Sequence, residues 1–296
     1  MMKSLLKTTA TDLHICQRCP RLMAYRLGGE KDAWLVGLTG AGISYGKLFH
    51  EHLAGKFHSD AADGSNRAEL ADAFRVEVTE LETRLDTLIR ERYFVPFLTE
   101  KSAKLKCDQL MATARGTVFW VKCLADFLSD IPSLLVDPEK NMSAVFHQPE
   151  KTLCAAYSFS DQTVLEVQGR YDALLFNPDK AEAALFEFKG FKSSNVTVEL
   201  SQALVYVWLI SEKTGIFPSV RLLYLEDDVP LCYPAADVKN MCDNLPALFS
   251  TARQVLEKVH LLPKAVDSLL CEECHYRTRC ETDWGEGIGG QTQASQ

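Results

Sequence analysis

Cysteines stand at both ends of this chain and constrain how it can fold: Cys16 and Cys19 lie near the start, Cys271, Cys274 and Cys280 near the end. They enclose the segment Asp172…Glu187-Phe188-Lys189. Thiolates bind soft metals, iron in clusters or zinc, whereas an Asp with a Glu suits hard Mg²⁺ or Mn²⁺. Two sites of different chemical character are therefore expected, and a site shared by these thiols would close the chain end to end.

At 296 residues, 47% hydrophobic and 24% charged, the chain has the make-up of a globular protein with a substantial core. No stretch approaches the roughly 20 apolar residues that span a bilayer, and residues 1–10 lack the apolar core of a secretory signal. A cytoplasmic location with no membrane partner is expected. Ten cysteines are few per residue for a secreted disulfide scaffold, and half of them cluster near the ends, so a reducing compartment with a metal site fits better. Cys107, Cys123, Cys154, Cys232 and Cys242 sit singly among apolar residues and are expected to pack as small buried hydrophobes. The formal net charge of −8 argues against nonspecific coating of nucleic acid. It leaves room for a local basic groove, because metal-binding carboxylates add negative charge and attract phosphate only once divalent ions occupy them.

Residues 11–27 read as one helix, with Thr11 or Asp12 as N-cap and Gly28-Gly29 as the stop, which puts Cys16 and Cys19 one turn apart. The glycine-rich stretch 37–46 leads into a helix carrying Lys47-Leu48-Phe49-His50, and residues 59–66 read as a loop. Over 67–92 apolar residues recur at helical spacing, and a further helix is expected over 105–128. This helical region, residues 60–145, reads as an insertion beside a catalytic core. After Pro149, apolar stretches at 153–159, 164–168, 171–176 and 184–188 are separated by turn residues, the pattern of an antiparallel meander. A helix at 197–210, a strand at 219–225 and a helix at 238–260 follow, and residues 285–296 have the composition of a disordered tail.

The chemistry gathers in the meander. Side chains alternate across a strand, so Glu187 and Lys189 share a face while Phe188 points away. Asp172, on the preceding strand, can reach Glu187 across a hairpin whose strands lie about 5 Å apart. In phosphodiester hydrolysis such carboxylates hold a divalent ion, and the lysine orients or deprotonates water or stabilises charge on the phosphate. Gln202 and Tyr206, four apart on a helix, share a face, and Gly46-x-x-x-His50 places an imidazole on another helix.

In their order these pieces resemble the RecB-like branch of the PD-(D/E)XK nuclease superfamily, in particular the iron-sulfur exonucleases of the CRISPR-associated RecB-like family and the cluster-bearing nuclease domains of helicase-nucleases. The matching residues are Cys19-Pro20-Arg21-Leu22-Met23-Ala24-Tyr25, Gly46-x-x-x-His50, Gly169-Arg170-Tyr171-Asp172, Glu187-Phe188-Lys189, Gln202-x-x-x-Tyr206 and Cys271-x-x-Cys274-x-Tyr276-x-x-x-Cys280. The resemblance implies that His50, Asp172 and Glu187 bind the catalytic Mg²⁺ or Mn²⁺, that Lys189 is the catalytic lysine and that Gln202 and Tyr206 hold DNA. It also implies a 4Fe-4S cluster on Cys19, Cys271, Cys274 and Cys280. Ligands about 250 residues apart would pin the N-terminal helix to the C-terminal segment, at an entropic cost that rises only logarithmically with loop length. Cys16 is a fifth thiol in the same neighbourhood, and zinc is the rival metal for a Cys₄ set.

The expected architecture is α/β: a restriction-endonuclease-like mixed sheet flanked by helices, forming one elaborated domain over 1–284, with the helical insertion at 60–145 and a cluster lobe at 16–19 and 271–280. The expected function is metal-dependent DNA cleavage, exonucleolytic on single strands or ends, in DNA repair or CRISPR and phage defence. A helicase or a CRISPR-adaptation or defence protein is the expected partner. The alternative is a non-catalytic nucleic-acid-binding or scaffolding subunit with a structural metal site. Arg21, Arg26, Lys47, Arg170 and Lys192 are candidates for phosphate contacts.

Overall fold

In the computed structural model, which describes residues 4–30, 49–63, 67–101, 103, 105–147, 152–189, 196–225, 230–258, 262–265, 268–272 and 274–284, Pro20 divides the first helical stretch in two. Helices span Ala10–Arg18 and Pro20–Leu27, and Cys19 between them is extended at φ −161°, ψ 115°. Proline clashes with an α-helical conformation in the residue before it, which overturns the single helix expected over 11–27 and removes Cys19 from the face of Cys16. The N-cap is Thr9, not Thr11 or Asp12. Its hydroxyl accepts from Asp12 N–H at 3.1 Å and the Asp12 carboxylate accepts from Thr9 N–H at 3.2 Å, a reciprocal box. The other Asp12 oxygen accepts from Arg26 Nε at 2.7 Å, so Arg26 ties the two helices together.

The chain forms two compact units, one drawn from 1–39, 156–168 and 244–296, the other from 40–155 and 169–243. Among the described residues there are eight strands: β1 (Leu5–Thr9), β2 (Phe146–His147), β3 (Leu153–Ser158), β4 (Val164–Gly169), β5 (Ala173–Asn177), β6 (Glu182–Lys189), β7 (Ser219–Tyr224) and β8 (Leu231–Tyr233). The expected meander is divided between two mixed sheets. One runs β1-β4-β3, with β1 parallel to β4; the other runs β2-β5-β6-β7-β8, with β6 parallel to β7 and its other pairs antiparallel. Each hairpin is locally legible, but which hairpins share a sheet depends on partners distant in sequence, such as β1.

In the first unit the helix Leu245–Leu256 packs against both N-terminal helices. The expected helix over 238–260 is two, Ala235–Cys242 and Leu245–Leu256, with Pro246 in the first turn of the second, a position proline tolerates. The C-terminal helix Arg277–Trp284 docks on Pro20–Leu27 through Tyr25. Its ring stacks on Tyr276 with centroids 5.0 Å apart and meets Trp284 edge-on at 5.0 Å, and its hydroxyl donates to Asp283 at 3.0 Å. Aromatic packing thus already joins the two ends of the chain.

In the second unit β6 is buried on both faces. Ala184, Phe186 and Phe188 point into a core shared with Phe49, Phe57, Trp120 and Leu124 from the helices of 49–145. Leu185, Glu187 and Lys189 occupy the opposite face, toward the helix Val196–Thr214 that connects β6 to β7. The helix Cys107–Ser129 approaches β7 closely at Gly116, where an added Cβ would lie 2.3 Å from Leu225 Cδ2. Residues 59–63 continue the helix Gly55–Asp63 instead of forming a loop, and the helix expected over 67–92 is broken after Ala71 and restarts at Leu81. The expectations for 37–46, Lys47, Lys192 and 285–296 lie outside the described residues.

Of the five lone cysteines only Cys123 is buried; Cys107 and Cys232 are exposed and Cys154 and Cys242 half-buried. Cys107 opens a helix and Cys232 lies on the edge strand β8, positions that local apolar composition does not distinguish from core. Among the described residues no helix is long and apolar enough to cross a membrane.

Candidate active site

Antiparallel pairing decides where Asp172 goes. The register Ala173↔Phe186 brings Asp172, one residue before β5, opposite Glu187, and the Phe188 N–H donates to Asp172 Oδ2 at 2.9 Å. The other Asp172 oxygen lies 3.4 Å from His50 Nε2, which is also 3.3 Å from the Asp172 carbonyl oxygen. His50 opens a π-helical turn, His50–Ala54, closed by the Gly55 N–H on the His50 carbonyl. A Cβ at Gly55 would sit 2.6 Å from that oxygen, so glycine permits the turn that carries the imidazole.

Glu187 and Lys189 share their face as the strand period requires. Lys189 Nζ donates to Glu187 Oε1 at 2.9 Å and to Gln202 Oε1 at 2.7 Å, and Gln202 Nε2 donates to the Tyr206 hydroxyl at 3.0 Å. Both ends of Gln202 are thereby engaged: its amide orients the lysine, and Tyr206 orients the amide. Tyr206 is buried, and burial together with Glu187 and Asp172 pushes its phenol well above the usual range.

Electrostatics separate the roles of acid and amine. Burial, with Asp172 alongside, pushes the Glu187 carboxyl up to about 7, although Lys189 pulls the other way. Burial alone would lower the Lys189 ammonium, but Glu187 and then Glu199 outweigh it and hold it above the ordinary lysine value. Lys189 is therefore a cationic donor in this arrangement. Glu199 is a residue that motif reading missed; it is buried on Val196–Thr214, and its spacing of three before Gln202 and seven before Tyr206 puts it on their helix face. Arg170, beside the motif, is exposed.

Glu187 Oε2 is buried and has no hydrogen-bond partner among the described residues. A buried carboxylate oxygen left without a partner, on the strand opposite Asp172, is the kind of group that a bound cation satisfies. As the side chains stand, no three His, Cys, Asp or Glu groups among the described residues converge on one ion position.

The other thiol-bearing region lies wholly in the first unit. Cys19, Cys271, Cys274 and Cys280 line one cavity of about 330 Å³, whose wall does not include Cys16. Cys16 is buried in its helix, and burial pushes its thiol up to about 12. Burial also pushes the Cys19 thiol up to about 11, with the N–H groups of Leu22 and Arg21 acting in the opposite sense. Arg21, a candidate for phosphate, is buried against this cavity instead.

The fold of two mixed sheets flanked by helices is that of a restriction-endonuclease-like domain. The model of the PD-(D/E)XK nuclease superfamily matches residues 7–281, and the chain belongs to that superfamily. Its members are generally phosphodiesterases that use Mg²⁺ or Mn²⁺ and act on DNA. Comparison with curated proteins gives no match.

Proposed function

We propose that this protein is a divalent-metal-dependent DNA exonuclease of the RecB-like branch, acting on single strands or ends in DNA repair or in CRISPR and phage-defence processing. The observation that carries the reading is the Lys189 ammonium, held between Glu187 and Gln202 beside a carboxylate oxygen that lacks a partner among the described residues. Asp172, Glu187 and His50 are the ligands in this reading, and two carboxylates with an imidazole suit Mn²⁺ or Mg²⁺. A divalent ion held there would supply Lewis-acid polarisation of the scissile phosphate and acidify the attacking water. Lys189, fixed by Gln202, would donate to the phosphate oxygen on which charge develops, with no side-chain reorganisation at that moment. Tyr206 would keep Gln202 in register for that purpose.

The cavity thiols fit a 4Fe-4S cluster in the same reading. Each iron of such a cluster takes one thiolate, so the four sulfurs need not converge on a single ion as they would for zinc. That Cys19, and not Cys16, lines the cavity beside the C-terminal three supports Cys19 as the fourth ligand in this reading. In this reading a helicase or defence protein supplies the DNA end.

The test is cleavage of end-labelled single- and double-stranded DNA by anaerobically purified protein with Mn²⁺, Mg²⁺ or EDTA. A metal-dependent ladder from one end is expected; folded, cluster-loaded protein that cuts under no metal would turn the reading toward a binding subunit.

Metal affinity should also report Glu187. Its folded carboxyl titrates near 7, above the ordinary 4.5, so between those values the folded apo protein holds a proton that the unfolded chain has lost. Apo stability then falls as pH rises through that window, and metal binding, which expels the proton, strengthens over the same window. Calorimetric titration with Mn²⁺ should give about tenfold weaker affinity at pH 6 than at pH 8, with about one proton released at the lower pH and almost none at the higher. An affinity flat across that range would remove Glu187 from the ligand set.

A further inference from the structure

Arg21 is a buried cation with an unusual set of partners. It is 3% exposed; its Nε donates to the Leu262 carbonyl at 2.9 Å, its Nη1 donates to Cys280 Sγ at 3.3 Å, and its guanidinium lies 5.6 Å from the centre of the Trp284 ring. Among the described residues no carboxylate is within ion-pairing distance of it. Two carboxylates also line the cavity: Glu281 is taken by Arg277 Nε at 3.1 Å, and Glu272 is exposed to solvent. A buried guanidinium without a counter-anion is costly. Four neutral thiols do not supply one. Four thiolates around a metal centre do, because a cluster of this type with its cysteines carries net negative charge.

We infer that Arg21 is the built-in counter-cation of the Cys19, Cys271, Cys274 and Cys280 site, donating an N–H···S hydrogen bond to the Cys280 thiolate and thereby retaining the metal and favouring the more reduced, more negative state of the cluster. The inference rests on the proposed cluster reading for the redox part and on the thiolate site alone for the retention part. Its physical basis is charge balance at short range in a low-dielectric setting. Hydrogen bonds to cluster sulfurs and local charge are recognised controls on cluster potential. Arg21 is a positioning residue, with no contact to DNA implied.

The experiment compares wild type, Arg21→Gln and Arg21→Lys after anaerobic reconstitution with iron and sulfide. Iron and sulfide content, circular dichroism and a spectroelectrochemical titration against a low-potential one-electron donor are measured. At a fixed potential the ratio of reduced to oxidised cluster in Arg21→Gln is expected to be at least tenfold lower than in wild type, a shift of about 59 mV for one electron. Arg21→Lys, which keeps the charge, should recover most of it. An unchanged potential in a folded, fully loaded Arg21→Gln protein overturns the inference. If Arg21→Gln does not fold, Arg21→Lys decides: loading and potential close to wild type support the charge-balance role, and failure to load overturns it. If wild type takes zinc instead of iron and sulfide, the cluster reading fails separately. Zinc release to a chelator then reads the inference, with at least tenfold faster release from Arg21→Gln supporting it and equal rates overturning it. Wild type that binds neither metal overturns both.

Discussion

Replacing Lys189 with alanine is expected to slow DNA cleavage by about 10²–10³-fold while leaving the protein folded. The loss follows from removing a preorganised cationic donor whose position is set on two sides, by Glu187 at 2.9 Å and Gln202 at 2.7 Å. Breaking a buried ion pair usually costs several kcal/mol because a charge is stranded. Glu187 escapes most of that cost, since its carboxyl already titrates near 7 and takes up a proton once the lysine is gone. The same logic fixes a second readout. Lys189 pulls the Glu187 carboxyl down, so in Lys189→Ala that carboxyl moves higher and the pH at which Mn²⁺ affinity levels off moves up with it. Single-turnover cleavage at saturating Mn²⁺ separates the two effects, because the chemical step stays slow even when the metal site is filled. Residual cleavage within tenfold of wild type would remove Lys189 from the catalytic role.

Trp120→Ala should destabilise the fold by about 3–5 kcal/mol, the range for truncating a large buried aromatic. Trp120 is fully buried and meets Phe57 edge-on at 5.4 Å, Phe49 at 5.9 Å and Phe188 at 6.2 Å. Those contacts connect packing to chemistry. Phe188 lies between Glu187 and Lys189 on β6, and Phe49 directly precedes His50, so the cavity left behind loosens two of the segments that carry the site. One observation moderates the cost: the indole Nε1 has no hydrogen-bond partner among the described residues, and losing an unsatisfied buried donor returns part of the energy. Trp120→Phe, which removes that N–H and keeps a ring, should therefore cost much less than Trp120→Ala. Urea unfolding followed by far-ultraviolet circular dichroism measures both. A loss below about 1 kcal/mol for Trp120→Ala would mean that the aromatic cluster does not anchor this core.

Local rules of the sequence govern some parts of this fold and not others. The shared face of Glu187 and Lys189 follows from the strand period, and the approach of Asp172 to Glu187 follows from a short hairpin; both are local rules, and the geometry agrees with them. The helix expected over 11–27 failed on a rule just as local, the exclusion of helical backbone before Pro20, and the error mattered because it placed Cys16 and Cys19 together. Over 59–66 the polar composition suggested a loop, yet the helix Gly55–Asp63 continues because its apolar side, Phe57 and Ala61, is buried in the core. Glu199 could have been found by extending the helical face of Gln202 and Tyr206 backwards by one turn.

By itself the sequence determined which residue types are available and, through periods of two and 3.6, which of them share a face: Glu187 with Lys189, Gln202 with Tyr206. Tertiary structure alone decided which faces meet. It divided the hairpins between two sheets, turned Gln202 toward Lys189, left one Glu187 oxygen without a partner among the described residues and set Arg21 against Cys280. The physical reason is that burial and long-range pairing change the cost of a charge by several kcal/mol, and neither quantity is written in the local spacing of residues.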